Sequence, residues 1–203
     1  MTAVTQIFVA HASLPANTLQ DVVTLARRRP GEILYASSGN GSANQLAVEM
    51  LKSVAKIDMV HVPYKGISAA IPDLLAGNVQ FMSTTIAPVV AHLKSKRLKA
   101  YAVANSRRSA LLPEVPTTAE AGAAGVEATS WNGVMVPAGT AREIVTRIHG
   151  EVVSVMKQPD ITERFLGYGV EPVVNTPSEF VAFIERETAR YAKVVKESGA
   201  RLD

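Results

Sequence analysis

The chain has 203 residues, a length that fits one large domain or two small ones. Its hydrophobic content of 47% is enough to build a core, and its net charge is only +3. The lack of cysteine excludes disulfides, cysteine nucleophiles and thiolate metal sites. Because no basic stripe is interleaved with aromatic residues, the sequence does not favour nucleic-acid binding.

No apolar run in the sequence is long enough to cross a bilayer. The first residues, MTAVTQIFVAHASLP, lack the basic region of a signal peptide. The sequence as written therefore predicts either a cytoplasmic protein or one whose leader lies outside it.

The first half of the chain alternates predicted strands and helices. Apolar runs predict strands over 5–12, 33–38, 58–64, 79–85 and 99–105. Periodic apolar residues predict intervening helices over 18–29, from 42, over 67–77 and over 86–99. This alternation with short connections predicts right-handed βαβ units, a mostly parallel sheet and an α/β fold.

Residues that cap or break helices mark the ends of these elements. Asn17 or Thr18 can cap the first helix, and Ser42 can cap the second. Pro72 lies inside the third helical segment, so this segment is predicted as two short pieces. Gly77 is predicted to end that segment in a left-handed conformation.

The second half has a different pattern. Residues 106–131 carry several turn signals and predict a long irregular crossover, the best candidate for a linker, with one short helix over 118–122. A strand and turn over 131–140, helices from 140 and over 160–166, and a strand over 169–175 follow. The last helix begins at Ser178 and is predicted to pack into the core through Phe180, Phe183, Ile184, Tyr191, Val194 and Val195.

The sequence contains no recognisable catalytic or metal-binding pattern. The four histidines have no metal-ligand spacing, and neither a G-x-S-x-G elbow nor a Walker A loop is present. His61 lies in an apolar strand and is predicted to be a hydrogen-bonded core or rim residue. No catalytic residue, metal or cofactor is therefore expected.

Small polar residues lie at the C-terminal ends of three strands of the predicted sheet and form the candidate ligand site. They are Ser38, Gly39, Asn40, Gly41 and Ser42 at the end of the second strand, Tyr64, Lys65 and Gly66 at the end of the third, and Ser83, Thr84 and Thr85 at the end of the fourth. In an open α/β sheet, ligands bind at this carboxyl edge. Neutral hydroxyl and amide groups at a helix N-terminus suit a carboxylate. A purely local role, such as helix capping by Ser42, is the alternative for each residue.

Four motifs give the chain a resemblance to a known family. YASSGNGS (35–42), VPYKG (62–66), RSALLPEVPTTAEAG (108–122) and VPAGT (136–140) resemble the periplasmic receptors of tripartite tricarboxylate transporters, often called Bug receptors, and the resemblance extends over nearly the whole chain. It implies a type II periplasmic-binding-protein-like (Venus flytrap) fold with a hinge of crossing strands. It also implies a non-enzymatic receptor that captures organic carboxylates and passes them to membrane transporter subunits.

The resemblance also has implications for the site and the domains. The three turns would form one wall of the cleft, and Ser83, Thr84 and Thr85 stand where amino-acid-binding members carry an acidic residue. This implies a di- or hydroxycarboxylate. Gln45 stands where many members carry histidine in the ligand helix.

Family members begin well before Met1, so the resemblance implies one incomplete domain. Residues 13–128 would form a complete domain two, while 1–12 and 129–203 would form the hinge strands and the C-terminal part of domain one. The incomplete domain one would expose apolar surface, which predicts that the chain associates with a second copy or with a partner that covers this surface. An α/β enzyme and a truncated non-transport remnant or assembly module are the alternative hypotheses.

Overall fold

The computed structural model describes residues 1–198. Within them the strands are β1 (Thr2–His11), β2 (Leu34–Ser37), β3 (Val60–Pro63), β4 (Phe81–Thr85), β5 (Leu98–Val103), β6 (Thr129–Asn132) and β7 (Val170–Pro172). The helices are α1 (Leu19–Arg28), α2 (Ala43–Ala55), α3 (Ile67–Ala76), α4 (Val90–Lys94), α5 (Arg142–Met156), α6 (Pro159–Gly167) and α7 (Pro177–Ser198). None of the helices described has both the length and the apolar character needed to span a membrane.

The larger sheet has the strand order β3-β2-β4-β1-β5. β2 pairs in parallel with β3 and β4, as the alternating pattern predicted. β1, however, runs antiparallel to β4 and to β5 between them. The predicted α/β fold is confirmed: β2, β3, β4 and β5 share one direction, as expected of a mostly parallel sheet. The sheet is nevertheless mixed, because the antiparallel β1 separates β4 from β5.

β1 belongs to two sheets. Its first residues pair antiparallel with β6 on one side and with β7 on the other, while the residues from Gln6 onward pair in the larger sheet. One continuous strand thus joins the two parts of the molecule.

The core lies on both faces of the larger sheet. On one face α1 and α2 cover Phe8, Tyr35 and Phe81, and the Phe8 and Phe81 rings stack with centroids 5.7 Å apart. On the other face α3 covers a cluster that includes Ile7 and Met82. Every fully buried residue lies between 5 and 128, and no residue from 129 to 198 is buried.

Several predicted elements differ from the structure. Pro72 lies inside one continuous helix, because its ring and missing N–H affect only the exposed first turn, around Ser68. α4 is shorter than the predicted 86–99. The predicted strand over 131–140 is limited to β6, and the rest is irregular and mostly exposed.

The crossover over 106–128 is irregular, as predicted, but lacks the short helix over 118–122. It is not a free linker, because Leu112, Val115, Thr118 and Val126 are buried against the larger sheet. The Val103 backbone holds it by accepting from Thr118 N–H and donating to Pro116 O.

The apolar side chains of α7 are only partly enclosed. Trp131 contacts Phe180 and Phe183 edge-on, with both centroid distances at 5.5 Å. Tyr191 and Val194 reach the main core, whereas Val195 is exposed. The predicted core packing of this helix therefore holds for one part of its apolar face.

Candidate functional site

The three predicted turns lie at one edge of the larger sheet, because the parallel strands β2, β3 and β4 all end there. Residues 38–42, 64–66 and 83–85 are called the three-turn edge below; the last of these segments, called the third turn, is the C-terminal end of β4 itself. The first two turns are joined directly: Tyr64 N–H donates to Ser37 O at 3.1 Å, and Gly66 N–H donates to Ser38 O at 3.2 Å.

Residues 38–42, called the glycine turn, lead from β2 into α2. Ser42 caps the helix by accepting from Gln45 N–H at 3.3 Å, and its own hydroxyl donates to Gly39 O at 2.7 Å. Gly39 and Gly41 have φ of 133° and 71°, a region that favours glycine. The turn thus directs the positive N-terminal end of α2 toward the three-turn edge.

Gln6 connects the third turn to the first. Its buried amide oxygen accepts from Asn44 Nδ2 at 3.0 Å and from Ser83 Oγ at 3.2 Å. Its amide nitrogen donates to Ser130 Oγ of β6 at 2.7 Å. Ser38 Oγ completes the network by donating to Asn44 Oδ1 at 2.7 Å. One glutamine of β1 therefore holds together α2, β4 and β6.

The predicted site residues differ in how accessible they are. Residues 38–42, Tyr64, Gly66 and Thr85 are half-buried, and Lys65 is exposed. Ser83 is fully buried in the Gln6 network, while Thr84 pairs with Ile7 on the opposite face of the sheet. The Thr84 hydroxyl is buried without a hydrogen-bond partner among residues 1–198. Of the third turn, only Thr85 is thus presented at the three-turn edge.

Sequence reasoning missed Gln6, Asn44 and Ser130 as supporting residues. A signal was present for Gln6, since it is the one amide inside the apolar run TQIFVA. His61, in contrast, is a hydrogen-bonded rim residue as predicted. It stacks on Tyr35 with centroids 4.9 Å apart, and its ring nitrogens contact Ser37 and Gln45.

A buried charged cluster lies behind the glycine turn. Tyr35 donates its hydroxyl to Glu49, which also pairs with Lys52 at 3.0 Å. Burial, with the Glu49 carboxylate second, raises the pKa of Tyr35, so this phenol stays protonated. At the rim, Tyr64 donates to Asp73 at 2.6 Å; burial and this carboxylate raise the pKa of Tyr64 to about 12.

The three-turn edge lines neither of two surface cavities found among the residues described. These cavities, of about 760 and 590 Å³, lie elsewhere: one beside the start of α1 and β5, the other between α2 and α7. Residues 1–198 contain no cluster of three potential metal ligands. The residues of the three-turn edge can donate hydrogen bonds from neutral groups and from a helix N-terminus, and Lys65 adds one positive charge.

Comparison of the fold with solved structures identifies the class of protein. Rpa4515 of R. palustris, solved with adipate, superposes with a TM-score of 0.89 at 32% identity over 98% of this chain and 67% of that one. The periplasmic binding protein BugD superposes with a TM-score of 0.85 at 27% identity, over 98% of this chain and 68% of its own. MatC from Rhodopseudomonas palustris, solved with bound malate, gives a TM-score of 0.84 at 27% identity, covering 96% and 67%. The fold is that of periplasmic solute-binding receptors, with one domain incomplete.

Sequence comparison identifies the family. The model of the tripartite tricarboxylate transporter family receptor matches residues 1–200, and the chain belongs to this family. Protein BugT of Bordetella pertussis (strain Tohama I) is 34% identical over 198 residues, which are 97% of this chain and 60% of BugT. The chain thus spans about 60% of the length of this curated relative. The resemblance drawn from the motifs is confirmed.

Proposed function

We propose that this chain belongs to an extracytoplasmic receptor that binds a small di- or hydroxycarboxylate at the three-turn edge, for delivery to a tripartite tricarboxylate-type transporter. The observation that carries the proposal is the convergence of three turns without an acidic residue on the N-terminus of α2. A carboxylate gains hydrogen bonds there from neutral donors and from the helix N-terminus.

The relatives support this ligand class. Rpa4515 was solved with adipate and MatC with malate, a dicarboxylate and a hydroxycarboxylate. Lys65, exposed in the second turn, would add a positive charge at the rim. We assign residues 13–128 to the ligand-binding domain, and 1–12 with 129–203 to the hinge strands and the other domain.

Ligand binding is tested by thermal shift and calorimetry with dicarboxylates, hydroxy acids, amino acids and phosphoesters. Adipate or malate should raise the melting temperature, since a ligand at a hundredfold its Kd stabilises the native state by about 2.7 kcal/mol. A shift with phosphoesters alone would favour an enzyme instead. No shift with any compound would favour a non-transport remnant or assembly module.

Two adjacent threonines provide matched variants. Thr85→Val removes a hydroxyl at the three-turn edge and should weaken binding about fivefold to tenfold, the effect of one hydrogen bond. Thr84→Val removes a buried hydroxyl on the opposite face and should leave the Kd unchanged. Equal effects of both variants on the Kd would contradict the placement of the ligand.

A periplasmic location is part of the proposal, because BugD is a periplasmic binding protein of the same fold. Fractionation of the source bacterium with an antibody against the chain tests it. Recovery in the cytoplasmic fraction alone would contradict the receptor role.

We also propose that a second copy covers the apolar surface of residues 129–198. Its exposed side chains include Val134, Met135, Ile144, Leu166, Tyr168, Val174 and Val181. Exposed apolar side chains of this size favour an interface. Light scattering after size exclusion should give the mass of a dimer, and a well-folded monomer would overturn this part of the proposal.

A further inference from the structure

The side chain of Gln45 lies between a histidine and the backbone of the glycine turn. Its Oε1 accepts from Gly41 N–H at 2.7 Å, and its Nε2 is 3.2 Å from His61 Nδ1. On the other side of the ring, His61 Nε2 is 2.7 Å from Ser37 Oγ. Ser37 Oγ also donates to Gly39 O at 3.0 Å and accepts from Gly39 N–H at 3.1 Å. His61 is thus linked to the turn from both of its nitrogens.

The positions of the protons follow from these contacts. Gly41 N–H can only donate, so Gln45 must present its oxygen to Gly41 and its NH₂ group to His61. Nδ1 of His61 is therefore an acceptor, and the ring proton lies on Nε2, where it is donated to Ser37 Oγ. The contact in which Nδ1 accepts from the Gln45 NH₂ group requires neutral His61.

We propose that Gln45 and His61 are positioning residues that hold the glycine turn in its ligand-accepting shape, and that protonation of His61 releases the turn and weakens carboxylate binding. The proposal rests on the function proposed for the three-turn edge. It adds that ligand affinity depends on a histidine behind the site that touches no ligand.

Protonation puts two donors face to face. A proton on Nδ1 would point at the NH₂ group of Gln45 across 3.2 Å. If the amide turned over to accept it, the NH₂ group would face Gly41 N–H instead. Either arrangement leaves a donor without an acceptor, which costs more than a hydrogen bond contributes. Relieving this repulsion therefore moves Gln45 away from Gly41 N–H and frees the backbone of the glycine turn.

Three titratable side chains face His61: Tyr35 from β2, and Glu49 and Lys52 from α2. Burial lowers the pKa of His61 from its ordinary 6.5; Glu49 opposes this shift, and Lys52 adds to it. Because the folded pKa lies below the unfolded value, the neutral ring is fully present above pH 6.5. The contacts that link Gly41, Gln45, His61 and Ser37 are called the relay below. The relay is lost as the pH falls through the folded pKa of His61.

A ligand-free experiment tests the relay. In a pH titration followed by NMR, the Gly41 amide resonance should move with the midpoint of the His61 ring. In Gln45→Glu, a carboxylate can accept from both Gly41 N–H and a charged His61, so this movement should disappear. If the Gly41 amide resonance of the wild-type protein does not shift at the His61 midpoint, the proposal is overturned, whatever the ligand proves to be.

A binding experiment tests the consequence. In the wild type the Kd for adipate should become about fivefold to tenfold weaker as the pH falls through the His61 midpoint found by NMR, the effect of one or two lost hydrogen bonds. His61→Phe keeps a ring on Tyr35 but cannot charge, so its Kd should change only by the titration of adipate itself. His92→Gln, a histidine of α4 outside the relay, should behave like the wild type.

The outcomes distinguish the two proposals. Equal pH dependence in the wild type and His61→Phe would overturn the relay as a control on affinity. Absence of adipate binding at every pH would contradict the adipate site, while the Gly41 titration would still decide the relay. Melting curves establish that each variant is folded before it is scored.

Discussion

Gln6 is a polar side chain buried in the strand that both sheets share, with 1% of its surface exposed. Gln6→Leu would leave Asn44 Nδ2 and Ser83 Oγ without their acceptor and Ser130 Oγ without its donor. Buried groups that lose their partners cost about 1 to 3 kcal/mol each. We expect the free energy of unfolding in urea to fall by about 3 kcal/mol.

Gln20→Leu is the matched control, since Gln20 is exposed and its one side-chain bond goes to Ala121 O. Its effect should stay within about 0.5 kcal/mol. Similar losses in the two variants would show that the buried network does not stabilise the fold.

Tyr101 gives a residue-level prediction in alkali. Burial, with the Asp21 charge second, raises its pKa to about 12, and its hydroxyl donates to Ala16 O at 3.1 Å. Because the unfolded chain loses this proton near pH 10, stability should fall as the pH rises from about 10 to about 12. Melting temperatures across this range should fall less steeply in Tyr101→Phe. Parallel curves for the two proteins would contradict the prediction.

The sequence predicted residues with local roles better than those with distant partners. Ser42 as a cap follows from a neighbour within one helical turn, and His61 as a rim residue was predicted from the apolar strand that contains it. The partners of Gln6 lie 38, 77 and 124 residues away in the chain. Periodicity within one element cannot reveal partners so far apart in the chain. Burial of the Thr84 side chain on the other face of the sheet likewise depends on the pairing of β4 with β1.

At the scale of elements, α3 is the helix that sequence reasoning divided and the structure keeps whole. Pro72 removes one backbone hydrogen bond from it, and the carbonyl left over belongs to the exposed Ser68. Pro72→Ala should restore that bond and raise the free energy of unfolding by about 1 kcal/mol, after allowance for a more flexible unfolded chain.

Pro88 is the comparison for Pro72, since it is exposed and precedes α4. Pro88→Ala gains no helical hydrogen bond and frees the unfolded chain, so it should lower stability by about 0.5 kcal/mol. Urea unfolding of the two variants should therefore give changes of opposite sign. The same sign in both would contradict the helical explanation.

The strands show where prediction from local pattern ends. Alternation with helices correctly predicted that β2, β3 and β4 are parallel, although it did not predict which strands pair. The position of β1 could not be derived in this way, because its partners in the larger sheet come from residues 81–85 and 98–103. Its run of buried residues from Ile7 to Ala10 does fit a central strand covered on both faces.

At the scale of the whole molecule, burial is divided sharply at residue 128. All fully buried side chains precede that point, whereas α5, α6 and α7 contain none. Amide hydrogen exchange follows local opening, which requires less free energy where few contacts are buried. Amide hydrogen exchange measured by mass spectrometry should therefore be about 10²-fold to 10³-fold faster in α5 and α6 than in α2. Equal protection of the three helices would contradict the division of burial at residue 128.

Protein concentration should alter exchange in only one of these two parts. A second copy over the apolar surface of residues 129–198 would bury Ile144, Leu166 and Tyr168, which are each about half exposed or more. Exchange in α5 and α6 should then slow as the protein concentration rises from about 1 to 100 μM, because association stabilises by mass action. α2, enclosed within the core, is the internal control and should not change. Tyr168→Glu should abolish this dependence on protein concentration, since the core of an interface does not tolerate an unpaired charge. Exchange that is independent of concentration in the wild-type protein would contradict pairing through this surface.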